Sequence, residues 1–229
     1  KQKTAYEITY GDWSSDVCSS DLDALLTLML PVPCVGCGTS GAGVCSRCTA
    51  ELVPARPAPP PPGVDWWTAC WAYEGAAREL VARAKYRGGR AALRALTPAL
   101  VDAVAGAPIR PGVVTWAPAS RDRRRRSGVD HAEILARGVG VGLGVPVRGL
   151  LRRAPGPPQT GAGADARRRG PRLRASAVPD GCAVLVIDDV ATTGGTCAGA
   201  ARVLREAGAG TVLAATLTRT PASVTRARR

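Results

Sequence analysis

The run Ala183-Val-Leu-Val-Ile187 constrains this chain more than any other feature. Consecutive apolar residues without polar alternation read as a strand buried on both faces, the environment of a parallel sheet covered by helices on either side. The run stops at Asp188-Asp189, and a short loop, Thr192-Thr-Gly-Gly-Thr196, follows. Residues 197–207 then place Ala200, Val203, Leu204 and Ala207 at i, i+3, i+4 and i+7, with Gly208 positioned to close a helix. Strand, carboxylate pair, Thr/Gly loop and helix in that order predict a ligand site, because open α/β sheets bind ligands beyond the carboxyl ends of their strands. The hydroxyls of Thr192, Thr193 and Thr196, with backbone N–H groups through Gly194 and Gly195, suit a phosphate dianion. Carboxylates accept hydrogen bonds from hydroxyls and repel phosphate. A ligand that satisfies both halves carries a phosphate at one end and a vicinal diol nearby, as a ribose 5-phosphate does.

The rest of the chain alternates in the same manner. Asp65 to Tyr73 is strand-like, with Trp67, Ala69, Trp71 and Tyr73 on one face at period two. Residues 75–86 and 91–105 read as helices, Val113 to Trp116 as a short strand, 129–141 as a helix and Val145 to Val147 as another strand. The Gly/Pro/Arg-rich stretch 153–179 has little periodicity and reads as a mobile loop with one short helix, and Thr211 to Thr218 reads as a last buried strand. The expected fold class is α/β, an open parallel sheet with helices on both faces. A length of 229 residues, 45% hydrophobic and 21% charged, fits one full-sized domain with a small appendage.

The appendage is written in cysteine. Cys34-x2-Cys37-x7-Cys45-x2-Cys48 sets four thiols in two close pairs, and four soft thiolates suit a structural tetrahedral Zn²⁺ with no position left for substrate. Two disulfides, or four reduced thiols, are the competing readings. Cys70, Cys182 and Cys197 are scattered and read as small buried residues. The expected organisation is a zinc motif over 23–53, a stiff Pro-rich connector over 54–63, the main domain over 64–220 and a basic tail over 221–229. Residues 1–22 hold two of the three lysines yet no Arg and no Pro, and they resemble a translated adapter joined to an Ala/Arg/Gly/Pro-rich reading frame. They are expected to be a non-native leader and are left out of the functional argument, Cys18 included. The longest apolar run near them, Leu22 to Val32, is about half of what a membrane span needs and contains Pro31. Without a signal-like flank, the expectation is a cytoplasmic protein that does not span a membrane.

Val184-Leu-Val-Ile-Asp-Asp-Val-Ala-Thr-Thr-Gly-Gly-Thr196 resembles the signature that binds phosphoribosyl pyrophosphate (PRPP) in type I phosphoribosyltransferases, with Ala191 where a larger aliphatic is usual. The chain as a whole is similar to the ComF family of competence-associated proteins, which joins a four-cysteine zinc motif to such a domain. The family's other elements are present as Tyr73-Glu-Gly75, Lys85-Tyr-Arg-Gly88, Arg126-Ser-Gly-Val-Asp-His-Ala132, Gln159-Thr-Gly-Ala162 and Arg167-Arg-Arg-Gly170. Ser127 stands where the family has Arg, Ala162 replaces Leu and Gly170 replaces Asn. The resemblance implies a type I phosphoribosyltransferase-like domain carrying a small N-terminal zinc-binding knuckle. By it, Asp188 and Asp189 hold the ribose hydroxyls and Thr192 to Thr196 the 5′-phosphate. Mg²⁺ is held mainly by substrate oxygens. Ala117 to Arg126, with Arg123 and Arg126, is the candidate pyrophosphate loop, and the stretch around Arg167 to Arg169 the candidate lid.

Two functions compete on this reading. One is a Mg²⁺-dependent phosphoribosyltransferase acting on PRPP and an unidentified acceptor. The other, implied by the competence family, is a factor engaging single-stranded DNA or DNA-uptake proteins, with the PRPP site regulatory or vestigial. A net charge of +13 suits either anionic partner. Arg123 to Arg126 read equally as a pyrophosphate clamp, a solvated face or a nucleic-acid contact. His131, the one histidine, reads as a supporting or helix-surface residue, and Cys197 as packing. The glycines at 138, 140, 142 and 144 do not satisfy G-x-G-x-x-G, and the chain has no G-x4-G-K-[ST], which excludes dinucleotide and P-loop readings.

Overall fold

The computed structural model describes residues 32–41, 43–84, 89–154 and 170–221. The elements run α1 (Ser46–Ala50), β1 (Trp66–Ala72), α2 (Gly75–Ala84), α3 (Gly89–Ala105), β2 (Val113–Trp116), α4 (Arg121–Ser127) and α5 (His131–Leu143). Then come β3 (Leu151–Arg153), β4 (Leu173–Ala175), β5 (Ala183–Ala191), α6 (Gly195–Glu206) and β6 (Thr211–Arg219). The expected leader, Lys85 to Gly88, the segment with Gln159 and Arg167, and the tail from residue 222 lie outside the described residues.

Four strands form one parallel sheet in the order β1-β6-β5-β2. The apolar run of β5 occupies an interior position, where its alternate residues supply both layers of the core. Leu185 and Ile187 join Leu213, Ala215 and Leu217 on the face covered by α3 and α5. Val184 and Val186 join Val212 and Ala214 on the face covered by α6. The antiparallel pair β3-β4 packs on that second layer through Leu151 and Leu173. An open α/β sheet with helices on both faces is therefore what forms. Among the described residues no helix is long and apolar enough to cross a membrane.

Four local expectations need correction. Residues 145–147 are not a strand: only Val147 bridges Val114, because Pro146 has no N–H to continue the ladder. The run 153–179 is more than a loop with one short helix: Arg153 ends β3 and Leu173–Ala175 form β4, paired antiparallel, while residues 155–169 lie outside the described residues. β1 lacks a one-sided pattern, because both faces of the sheet are covered: Trp67 packs in the α6-side layer, and Trp71 and Tyr73 pack in the other with Trp66 and Cys70. Cys70 and Cys182 are half-buried, and only Cys197 of the scattered three is fully buried.

The Pro-rich segment does more than connect. Pro54 bridges Trp71 at the outer edge of β1, where the Ala55 N–H donates to the Cys70 carbonyl at 3.0 Å and the Ala72 N–H to that of Val53 at 2.8 Å. A proline-bearing strap of this kind blunts an exposed sheet edge. The four-cysteine segment packs on the same body: Cys34, Val44, Cys48 and Leu52 share one cluster with Trp71, Ala77 and Leu80, and Arg83 of α2 donates to the carbonyls of Val35 and Gly36.

Two helical glycines make opposite predictions. A Cβ at Gly140 of α5 would meet the Val145 carbonyl oxygen at 2.9 Å, where the chain folds back over the helix, whereas one at Gly199 of α6 meets nothing closer than the Pro171 carbonyl oxygen at 3.5 Å. Gly199→Ala is expected to stabilise by about 0.5–1 kcal/mol through helix propensity. Gly140→Ala is expected to destabilise by about 1–3 kcal/mol despite the same propensity gain. Urea unfolding of both variants checks the pair.

Candidate functional site

β5 leaves the core at Ile187, and the alternation of the strand sends Asp188 and Asp189 to opposite faces. Both remain buried, at 8% and 4% exposure, because helices and loops close over the strand end. Asp188 turns to the α6 side, where its charge adds to burial in raising the thiol of Cys197. Burial, and then the negative charge of Asp189, hold the Asp188 carboxyl well above the usual carboxylate range. Asp189 turns to the α5 side. Its Oδ1 is 3.9 Å from Nη1 of Arg123, and its Oδ2 is 3.9 Å from Nδ1 of His131.

The loop after β5 is shaped by Gly194, which takes φ +74° at the N-cap of α6. A side chain there would be strained by the backbone and would press on Pro61 of the Pro-rich strap, whose Cγ lies 2.7 Å from the Cβ position. The strap thus backs the loop from behind. Thr192 and Thr193 are exposed ahead of the helix, and the Thr193 hydroxyl accepts the Gly195 N–H at 3.4 Å. The first turn of α6 begins beside the strand end, with Thr196 lining the cavity there, and a helix N-terminus is the electrostatic complement of a phosphate.

Opposite lies the segment after β2. The Ala117 N–H donates to the Ile187 carbonyl at 2.9 Å, and the Ala119 N–H donates to Oδ2 of Asp130 at 2.8 Å. The Ser120 hydroxyl caps α4 by accepting the Arg123 N–H at 3.2 Å, and Gly128 closes the helix with φ +70°. The arginine run is thus a short helix. Arg123 reaches the cavity, while Arg124 turns away to Asp130 at 3.3 Å. Arg126 lies in the last turn of α4, and Arg167 lies outside the described residues.

These parts enclose a cavity of about 300 Å³ lined by Asp188, Asp189, Thr192, Thr196 and Arg123 from the expected set. It is also lined by Tyr73, Asp130, His131 and Arg153, which the sequence argument did not place there. His131 is not on a helix surface: as first residue of α5 it is 4% exposed and faces the acidic pair. Arg153, at the end of β3, donates from Nε to the Pro118 carbonyl at 2.7 Å. Burial, and then repulsion by Arg123, lower its pKa. No motif announces Arg153; only the β3-β4 hairpin brings it in. The cavity therefore brings together two threonines, the carboxylate pair and two guanidiniums, while Thr193, Gly194 and Gly195 of the expected set are not among its lining residues.

The four thiols of Cys34, Cys37, Cys45 and Cys48 form a separate centre, their sulfurs all within 4.8 Å of one another. Tetrahedral Zn²⁺ with bonds of about 2.3 Å puts sulfurs about 3.8 Å apart, and Cys37 and Cys45 stand at 3.6 Å. Burial opposes ionisation of Cys34, yet backbone N–H groups of Cys37, Cys45 and Gly36 bring its thiol down to about 6. Burial and the neighbouring sulfurs push Cys48 up to about 12. The cluster can hold a tetrahedral thiophilic ion, and none of its members lines the cavity at the strand ends.

Residues 125–228 match the family model described as the phosphoribosyl transferase domain, a span that includes the acidic pair and the Thr/Gly loop. No curated protein matches the chain. Similar solved structures include the allosteric regulatory enzyme of purine biosynthesis, at 23% identity over 54% of this chain and TM-score 0.37. The chain spans only 25% of that protein's length. A purine phosphoribosyltransferase from Pyrococcus horikoshii Ot3 is similar at 18% identity, covering 57% of this chain and 74% of that one, TM-score 0.39. Adenine phosphoribosyltransferase from Leishmania tarentolae is similar at 18% identity, covering 61% and 74%, TM-score 0.38.

Because the Asp188 carboxyl is raised, the folded state holds a proton that the unfolded state has already lost, so this group's contribution to stability is present near pH 4 and falls as pH rises towards its folded value. Asp188→Asn should remove that slope and raise Tm at pH 7.5, by about 2–4 °C for each kcal/mol relieved. Thermal melts of both proteins from pH 5 to 8 measure it. For the thiol cluster, mercurial titration should release about one Zn²⁺ per chain. Cys34→Ser should lose the metal and melt several degrees lower.

Proposed function

We propose that the chain is a ComF-like protein whose cavity binds PRPP with Mg²⁺ and transfers the phosphoribosyl group to an acceptor with release of pyrophosphate. The observation that carries this reading is the convergence of opposite chemistries at one strand end. Thr192 and Thr196, with the loop between them at the α6 N-terminus, suit the 5′-phosphate, Asp188 and Asp189 suit the ribose diol, and Arg123 and Arg153 suit a pyrophosphate.

The chain's own groups act by positioning and charge. The diol fixed on two carboxylates and the phosphate fixed on the loop leave C1′ as the atom without protein bonds. The bond between C1′ and the pyrophosphate oxygen breaks, its electron pair leaves with pyrophosphate, and the acceptor's lone pair forms the new bond. Arg123 and Arg153 stabilise the charge gathering on the departing pyrophosphate, and the carboxylates stabilise the positive charge that builds on the ribose. Hard oxygen donors on the substrate suit Mg²⁺, which when bound offsets the charge of the pyrophosphate. The acidic pair fits such a ligand, since two adjacent buried carboxylates gain hydroxyl donors and a nearby cation with it. Arg126 and Arg167 are assigned by resemblance to the pyrophosphate side and the lid. The four-cysteine cluster is assigned structural Zn²⁺, and the protein to the cytoplasm.

One observation favours a second reading. A groove of about 1050 Å³ between α3 and α5 carries Arg90, Arg94, Arg124 and Arg137 beside Asp102, Asp130 and Glu133, with Arg124 paired to Asp130 and Arg137 to Glu133. Such a row suits single-stranded DNA handed on by uptake proteins, with affinity falling steeply with salt and unaffected by Asp188→Asn.

Calorimetric titration of PRPP with Mg²⁺ into the wild-type protein tests the main reading. Binding in the micromolar range is expected, weakened about tenfold or more in Asp188→Asn and Asp189→Asn. A folded, zinc-loaded protein that takes up no PRPP would refute it.

A further inference from the structure

The histidine buried in the cavity has no part in the reading above. His131 is 4% exposed, and it faces a carboxylate that is itself 5% exposed, with Nδ1 at 3.9 Å from Asp189 Oδ2. The other oxygen of that carboxylate is 3.9 Å from Arg123. We propose that His131 is a positioning residue for Asp189: imidazole and guanidinium flank the two carboxylate oxygens, and the charge on the imidazole sets how firmly the site holds a phosphorylated sugar. This deepens the PRPP reading and rests on it for the choice of ligand.

The geometry gives the claim its direction. Asp189 shares the strand end with Asp188, so a second negative charge there is opposed at close range. A cation against Asp189 favours its ionised form, which is the form that accepts hydrogen bonds from a diol. Arg123 is half exposed, with 53% of its side chain open to solvent, so its charge is screened. His131 is enclosed and screened far less. Among the described residues, the charged and titratable groups that line the cavity with it come from several elements. Asp188 and Asp189 come from β5, Arg123 from α4, Arg153 from β3, and Tyr73 follows β1. Asp130 precedes His131 in sequence, but its carboxylate is engaged by the Ala119 N–H and by Arg124. Among the described residues, Asp189 has a carboxylate within 4 Å of the ring that gains from imidazolium. Protonation of His131 also adds a positive charge to a cavity meant for a polyanion, so affinity should rise as pH falls from 8 to 6.

The chain has one histidine, which makes the test clean. The imidazole resonances of the folded protein are followed by NMR against pH, in the wild type and in Asp189→Asn. The imidazole pKa is expected to fall by about one unit in the variant; an unchanged value overturns the proposal. This arm needs no ligand, so it stands whether or not PRPP binds. In the second arm, PRPP with Mg²⁺ is titrated at pH 6 and pH 8 into the wild type and His131→Gln, which keeps a donor without the charge. Wild-type affinity should be about tenfold higher at pH 6. His131→Gln should keep the pH 8 value within a few-fold and lose most of the gain. Titration of Asp188 and of the ligand is common to both proteins, so the difference between them reports His131. A His131→Gln profile that follows the wild type overturns the proposal, whereas a wild type that binds no PRPP at either pH counts against the ligand reading.

Discussion

Two carboxylates held out of water at the end of an apolar strand are the constraint on which the rest of the structure depends. β5 is buried on both faces from Val184 to Ile187, and Asp188, paired with Thr216 of β6, and Asp189 follow directly. Adjacent buried acids repel each other and lose hydration, a cost of several kcal/mol in an apolar setting. Burial and the charge of Asp189 both oppose ionisation of Asp188, so the pair costs stability where it stands. A group that weakens the fold in this way is a mark of function, since strain and unfavourable charge collect where ligands bind.

The surroundings of the pair make sense in that light. Arg123, Arg153 and His131 come from three different elements to face it. Asp130 ties the β2–α4 segment to α5, and Pro61 of the strap stands behind Gly194, so the two walls of the cavity are fixed from outside. The four-cysteine segment and α2 belong to the same hydrophobic cluster as α3 and β1. A metal at the thiols would therefore stiffen the edge of the sheet from which the Pro-rich strap starts. The thiol cluster and the strand-end cavity are separate chemically and joined mechanically.

What the sequence showed and what it hid divide along a physical line. β5, α6 and the Thr/Gly loop were legible because their pattern is set by local chemistry: an apolar run, a helical period, and glycine where φ is positive. The cysteine pairs were legible by spacing alone. α4 was missed because residues 121–125 are all exposed and so leave no periodic signal, although Ser120 before it and Gly128 after it are proper caps. His131 and Arg153 were hidden for another reason. A titratable residue at a helix start or a strand end looks the same whether it faces solvent or a cavity, and only the packing of α5 on β5 and the pairing of β3 with β4 settle which. The alternation in β1 misled because both of its faces are covered.

On the proposed function, one strand end recognises phosphate and diol together. Calorimetric comparison of ribose 5-phosphate with 2-deoxyribose 5-phosphate tests this most directly, since the two ligands share the phosphate and differ by one hydroxyl. A hydrogen bond to a charged carboxylate is worth about 1.5–3 kcal/mol, so the deoxy sugar should bind at least about tenfold more weakly. Equal affinities would mean that Asp188 and Asp189 do not read the sugar, and the central claim would fail.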